Sequence, residues 1–458
     1  MLWGDAGEEC GVVGIWTRGE PVAEWLRDGL FALQHRGQES AGLALSCGAD
    51  IAHHTGMGLV SEVLTHEALQ GMKGHLGIGH VRYSTSGDSS PENAQPVIGQ
   101  TGSGEPFALA HNGNLTRLPS PARTSDTHLL AAQVAAEPGT LADALADVLP
   151  RTNGAFSLVG ISTDVLYAAR DPHGFRPLSI GRLPGNGWAV ASETAALDSI
   201  GAVFHHEVEP GEIAEMGAHG LRVRSFASGA KALCVFEHVY FSRADSVIDG
   251  RSVYEVRNAM GRAVARQAPA RADLVIPVPD TARVAALGYA EESGIPYAEG
   301  FVRNAYATRT FIQPSRQGRQ LGVRRKLSPI VSAVRGRRLV VVDDSIVRAT
   351  SMKQVVSLLK EAGAAEVHVR VASPPVRWPC FFGVDIRTTG ELVAGRYGVA
   401  QIQRILGADS LGYLSIGGLV ESTRQGGDLC TACFTGAYPD AVALSAAPGP
   451  ASRGREPV

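Results

Sequence analysis

At 458 residues the chain exceeds what one ordinary hydrophobic core organises, so two or three domains are expected. Apolar residues make up 44 % and charged ones 19 %, the balance of a globular protein, and a net charge of −3 offers neither nucleic acid nor an anionic membrane an electrostatic foothold. No apolar run approaches the roughly 18 residues of a membrane span, so the expected partners are small molecules and the expected compartment the cytoplasm.

The chain opens MLWGDAGEECGVVGIW. Residues 1–9 have neither the basic start nor the apolar core of a secretory signal. Cys10 then admits two readings. It is either a small buried hydrophobe heading a first strand, or a new N-terminus left when a propeptide of residues 1–9 is removed. From 10 to about 230 the pattern is short alternating strands broken by glycine turns, as in GAFSLVGISTDVLYAARDP and GWAVASET. This defines a first domain, 10–230. A second, 231–438, has a different rhythm. ADLVIPVPD reads as an apolar strand and TARVAALGYAEESG as a helix ending at its glycine. RRLVVV (337–342) is a buried strand, DDSIVRATS a loop, and Met352, Val355, Val356 and Leu359 mark one helix face. That helix should stop at Gly363, and AEVHVRVAS, with valines at 367, 369 and 371, returns as a strand. Strand, loop, helix, strand is a βαβ unit in a parallel sheet. Residues 439–458, rich in Pro, Ala, Ser and Gly, read as a disordered tail.

The βαβ loop leaves the C-terminal end of a parallel strand and enters a helix N-terminus, where free backbone N–H groups attract phosphate. It carries carboxylates at Asp343 and Asp344, a cation at Arg348, and hydroxyls at Ser345, Thr350 and Ser351. Carboxylates suit ribose hydroxyls and Mg²⁺, while hydroxyls suit a phosphate. A helix cap with surface acids explains the same residues. Six cysteines stand at 10, 47, 234, 380, 430 and 433, which in a reducing compartment suggests metal or catalysis before disulfides. Only Cys430 and Cys433 have ligand-like spacing, and zinc, a redox pair, a cluster or nothing all remain open.

VVVDDSIVRATS closely resembles the PRPP-binding motif of type I phosphoribosyltransferases. With PVPDTARVAALGYAEESGIPY and RTFIQPSRQGRQLGVRRKL, the chain from Cys10 to about Pro439 resembles the amidophosphoribosyltransferases, which begin purine synthesis. ECGVVGIW, LQHRGQESAG, GHVRYSTSG, LAHNGNL and TSDTH follow in that family's order. The resemblance implies an α+β/α/β two-domain fold: an αββα glutaminase domain of the N-terminal nucleophile hydrolase type, then a parallel-sheet phosphoribosyltransferase domain. It implies that Cys10 is the nucleophile, with Asn112 and Gly113 as the oxyanion hole and Arg82 and Asp126 as the glutamine clamp. Asp343, Asp344, Ser345, Arg348, Thr350 and Ser351 would hold PRPP, and Thr281 would join Asp343 and Asp344 on Mg²⁺. The basic stretch Arg309–Lys326, with Arg316, Arg319, Arg324 and Arg325, would be a lid over PRPP. Cys234, Cys380, Cys430 and Cys433 would bind the 4Fe–4S cluster of the propeptide-bearing branch, and the family suggests a homotetramer. Cys47 matches no motif and is expected to be a buried hydrophobe.

Four positions depart from the family's pattern. Ala349 and Ala282 stand for glycines, Thr281 for a serine, and His128 for a glutamate; the stretch 114–124 is also shorter. A methyl group at a position needing positive φ costs about 1 kcal/mol or more, so weaker PRPP binding is expected. Competing readings are a copy recruited to a specialised nucleoside pathway, a PRPP-binding regulator, and a glutaminase feeding a sugar phosphate. A regulator has no need of Cys10 with Arg82, Asn112 and Asp126, and a sugar-phosphate enzyme has none of VVVDDS.

Overall fold

The computed structural model describes residues 9–83, 89–116, 124–304, 326–386 and 388–439. Two antiparallel sheets build the N-terminal half. In the seven-stranded sheet Gly11–Trp16 lies between Gly187–Ala191 and Leu76–Arg82; in the six-stranded sheet Pro106–Leu115 lies between Val97–Gln100 and Gly154–Ile161. The apolar residues sort into three layers. One separates the first sheet from helix Ala23–Ala32. A second, with Val12, Ile78, Ala110 and Val159, fills the space between the sheets. The third joins the second sheet to helices Asp126–Ala136 and Leu141–Val148. Helix, sheet, sheet, helix is the αββα order the resemblance implied. Central strands such as Gly11–Trp16 and Leu76–Arg82 are buried at every residue because both faces are covered.

The C-terminal half centres on four parallel strands in the order Leu274–Pro277, Arg338–Asp343, Glu366–Val371, Ser410–Tyr413. The βαβ unit forms as its periodicity predicts. Met352, Val355, Val356 and Leu359 of helix Thr350–Glu361 are all buried, as are Val367, Val369 and Val371. The chain turns at Gly363 with φ +91°. On the opposite sheet face helices Val253–Gln267 and Arg283–Ser293 cross so closely that a Cβ on Gly261 would lie 1.9 Å from the Ala285 carbonyl oxygen. The second helix ends at Gly294, as read from the sequence.

The last described segment returns to the domain junction, where Leu429–Cys430 pairs in parallel with Leu233–Cys234. Cys47 corrects an expectation. It is exposed, because it sits in the turn joining Ser40–Ser46 to Ile51–Met57, with its N–H on the Asp50 carbonyl at 2.8 Å. Among the described residues no helix is long and apolar enough to cross a membrane.

Candidate active sites

Cys10 stands one residue before the strand Gly11–Trp16, 6 % exposed, its Sγ 3.3 Å from the Tyr83 carbonyl. Burial pushes its thiol up to about 12; the Tyr83 contact and the Arg82 charge oppose that shift, and the Asp126 charge adds to it. The sulfur therefore lies within electrostatic reach of both members of the expected glutamine clamp. Asp126 opens helix Asp126–Ala136 and accepts from the Leu115 and Thr127 N–H groups at 3.0 Å each. Its Oδ2 is also 3.5 Å from His111 Nε2. His128, one of the departures, bonds Ser125 at 2.8 Å; burial, then the Arg82 charge, lowers its imidazole. A basic nitrogen thus stands beside the clamp where the family has an acid.

Asn112 and Gly113 lie on Pro106–Leu115, opposite Ser157 and Phe156. Asn112 Nδ2 is buried and has no hydrogen-bond partner among the described residues. A buried amide donor left unpaired costs about 1–3 kcal/mol, and such a group is free to donate a hydrogen bond to a ligand. Gly113 has φ +146°, and a Cβ there would lie 2.0 Å from the Ala155 carbonyl oxygen, so only glycine fits.

The second site lies at the C-terminal ends of the parallel strands. Asp343 closes its strand and accepts from the Asp344 N–H at 3.0 Å, and Asp344 accepts from the Ser345 hydroxyl at 2.7 Å. Arg348 pairs with Glu391 at 2.5 Å. Thr350 and Ser351 begin the helix whose first N–H groups face the loop. Thr281 follows the cis peptide between Pro279 and Asp280 and lines a cavity of about 460 Å³ with Asp343 and Asp344. From the other domain Gln34, His35 and Gln38 line the same cavity. Among the described residues no three or more His, Cys, Asp or Glu side chains are gathered to hold one metal ion. Two carboxylates and a hydroxyl nevertheless suit Mg²⁺, which keeps few protein ligands and takes the rest from substrate phosphates. Of the basic stretch, residues 305–325 lie outside the described residues, including Arg309. Lys326 stands at its base, its carbonyl accepting from the Asn304 N–H at 2.9 Å.

The glycine replacements part ways. Ala349 has φ +64°, the strained conformation expected there, and it is buried in the core with Met352 and Val355. Ala282 has φ −77°, which any residue adopts. Ala349 thus meets the positive-φ condition on which the expectation of weaker PRPP binding rested, and Ala282 does not.

Three segments bring the four remaining cysteines to the domain junction. Cys234 and Cys430 are register partners, and the Cys433 carbonyl accepts from the Arg377 and Trp378 N–H groups. Burial raises all four thiols, and each feels the charge of neighbours within the set or of Arg176. Four thiols at one junction are a donor set of the kind that suits iron–sulfur chemistry, although the Glu9 charge reaches Cys234 and Cys380 and the Asp171 charge reaches Cys430, and among the described residues no three such groups are gathered around one metal ion.

A family model for a glutamine amidotransferase domain matches residues 80–199. The amidophosphoribosyltransferase of Mycobacterium tuberculosis H37Rv is 50 % identical over 457 residues, 94 % of this chain and 86 % of its own length. The Bacillus subtilis relative is 42 % identical, covering 95 % of both chains. The chain belongs to the amidophosphoribosyltransferase family. A solved structure titled as the B. subtilis glutamine PRPP amidotransferase complexed with ADP and GMP superposes with a TM-score of 0.87 at 42 % identity, over 94 % of this chain and 97 % of that one. The two-domain architecture of this amidophosphoribosyltransferase is thereby shown.

Residues that motif reading assigned no role join the two sites. Arg36, from LQHRGQESAG, is fully buried and holds Glu193 and Glu237 at 2.5 Å each. Glu237 is also 3.6 Å from Arg176, which pairs with the buried Glu9. These partners are 157 to 201 positions apart for Arg36, so no local spacing could reveal them. The stretch around Arg36, LQHRGQESAG, is itself mostly polar, so it gave no local signal for a buried arginine.

Proposed function

We propose that this amidophosphoribosyltransferase converts glutamine, PRPP and water into 5-phosphoribosylamine, pyrophosphate and glutamate, the first step of purine synthesis. The observation that carries the reading is the cavity of about 460 Å³ in which the glutaminase half, through Gln34, His35 and Gln38, meets Thr281, Asp343 and Asp344 of the other half. Ammonia made on one side has a reactive ribose to meet on the other.

Residues 1–9 are removed as a propeptide, and the domains run from 10 to 230 and from 231 to 438. The freed α-amine of Cys10, with an ordinary pKa of roughly 8, takes the thiol proton. Such a base is needed, because burial holds this thiol protonated to about 12. Arg82 and Asp126 hold the α-carboxylate and α-amine of glutamine. The thiolate attacks the side-chain amide, the oxyanion receives hydrogen bonds from Asn112 and Gly113, ammonia leaves, and water hydrolyses the thioester. The unpartnered Asn112 amide supports that role.

On the transferase side Asp343 and Asp344 hold the ribose hydroxyls, while Ser345, Arg348, Thr350 and Ser351 hold the phosphate. Magnesium on Thr281, Asp343 and Asp344, when bound, offsets charge on the departing pyrophosphate. Arg309 and Lys326 belong to a lid that keeps out water, which competes with ammonia for C1. Cys234, Cys380, Cys430 and Cys433 hold a 4Fe–4S cluster with a structural role. The assembly is a cytoplasmic homotetramer. Mass spectrometry of the purified protein should find Cys10 at the N-terminus, and PRPP should release pyrophosphate with glutamine and with ammonia. A chain still starting at Met1 that leaves glutamine intact would refute the proposal.

A further inference from the structure

When ammonia bonds to C1 of the ribose, the C1–O bond to pyrophosphate breaks and its electron pair leaves with the pyrophosphate. The new nitrogen then carries one proton too many. That proton needs an acceptor, or the bond reverts. Most charged groups of the cavity are unsuited. Arg243, Arg257 and Arg303 have no lone pair to offer, Asp280 is paired with both Arg283 and Arg303, and Asp343 and Asp344 are committed to the ribose and metal.

His35 is different. Its side chain is 21 % exposed, lines the cavity, and puts Nε2 2.6 Å from Glu193 Oε1. Burial alone would raise the Glu193 carboxyl, but the Arg36 charge, then His35 itself, outweighs burial and holds it well below its ordinary value. The other Glu193 oxygen accepts from the Arg243 N–H at 2.9 Å and the Ser246 hydroxyl at 2.6 Å, which fixes the carboxylate in place. A ring facing a carboxylate through Nε2 keeps its proton there when neutral, leaving Nδ1 as the acceptor. The carboxylate behind the ring then stabilises the imidazolium once the proton arrives.

We propose that His35 accepts, at Nδ1, the proton shed by the nitrogen as it bonds to C1, and returns it to water once the product has left. The inference rests on the proposed transfer of ammonia to PRPP, and the test keeps the two apart. With ammonia as donor the glutaminase chemistry is bypassed; if the wild-type enzyme then releases no pyrophosphate, the transfer reading fails and not the role of His35. Where it does, His35→Gln keeps a donor for Glu193 but offers no basic nitrogen. Its kcat should fall about 10²-fold or more, with KM for PRPP little changed and the melting temperature kept. His35→Ala should lose as much and regain a large part on addition of imidazole. Wild-type kcat in His35→Gln would overturn the proposal, and so would a folded His35→Ala that imidazole cannot restore.

Discussion

Ala349 sets two effects of similar size against each other. Its φ of +64° costs an L-residue about 1–2 kcal/mol, while its buried methyl group returns about 0.8 kcal/mol. Both terms exist with or without PRPP, so they act on stability and largely cancel there. For Ala349→Gly we therefore expect a melting temperature within a few degrees of wild type and an unchanged PRPP dissociation constant by titration calorimetry. Tenfold tighter binding would mean that the methyl obstructs the phosphate after all. Asn112 poses the opposite case: its cost is paid in the empty site and recovered only when an oxyanion forms. Asn112→Ala should lower kcat for glutamine hydrolysis by about 10²–10³ with KM nearly unchanged, read by glutamate release.

Elements differ in how openly the sequence declares them, and the difference is physical. The βαβ unit could be read because one strand is buried on both faces, one helix on a single face, and the loop between carries polar groups at Asp343, Asp344, Ser345 and Arg348 among its buried apolar residues. Each condition leaves its own period in the sequence. The glutaminase strands are less transparent. Gly11–Trp16 is covered by a helix on one side and a sheet on the other, so the alternation that would announce a strand is absent. Cys10, Arg82, Asn112, Asp126 and the loop after Asp343, to which the resemblance assigns roles, each sit in a contiguous motif. No role could be read for Arg36, Glu193 and Glu237, since their meaning arises only where distant segments meet. The C-terminal strap is intermediate. Its pair Cys430 and Cys433 is visible, but the partners Cys234 and Cys380 lie in other segments, and the strap itself is a two-residue bridge with a four-residue helix. So short an element cannot hold itself. Cys430→Ser should therefore abolish bound iron and acid-labile sulfide in the purified protein and open the segment after Leu429 to limited proteolysis. Full iron content in that variant would remove Cys430 from the ligand set.

Across the whole molecule, two arginines and two carboxylates hold the halves together from inside, with a third acid, Glu9, beside Arg176 in the uncut chain. Arg36 and Arg176 come from the glutaminase half, as do Glu9 and Glu193, while Glu237 comes from the start of the transferase half. All five are buried. The acids do not titrate alike. For Glu193 and Glu237 burial is outweighed, chiefly by Arg36, so both sit below their ordinary value. Their contribution is present above the unfolded-state pKa and lost as pH falls through the folded one. For Glu9 burial wins over Arg176, the Glu237 charge adds to it, and the carboxyl rises from 4.5 to about 8. The sign is then reversed: its contribution is complete below pH 4.5 and lost as pH rises to about 8. Glu9 is also the residue that cleavage before Cys10 would remove, so the uncut chain carries a liability at neutral and alkaline pH that the cut chain lacks. In an uncleavable Cys10→Ala chain, adding Glu9→Gln should shift relative stability towards Gln by on the order of 1–3 kcal/mol between about pH 5 and pH 8, read from melts at each pH. A constant difference across that range would mean that Arg176 keeps Glu9 ionised throughout, and that processing relieves no buried charge.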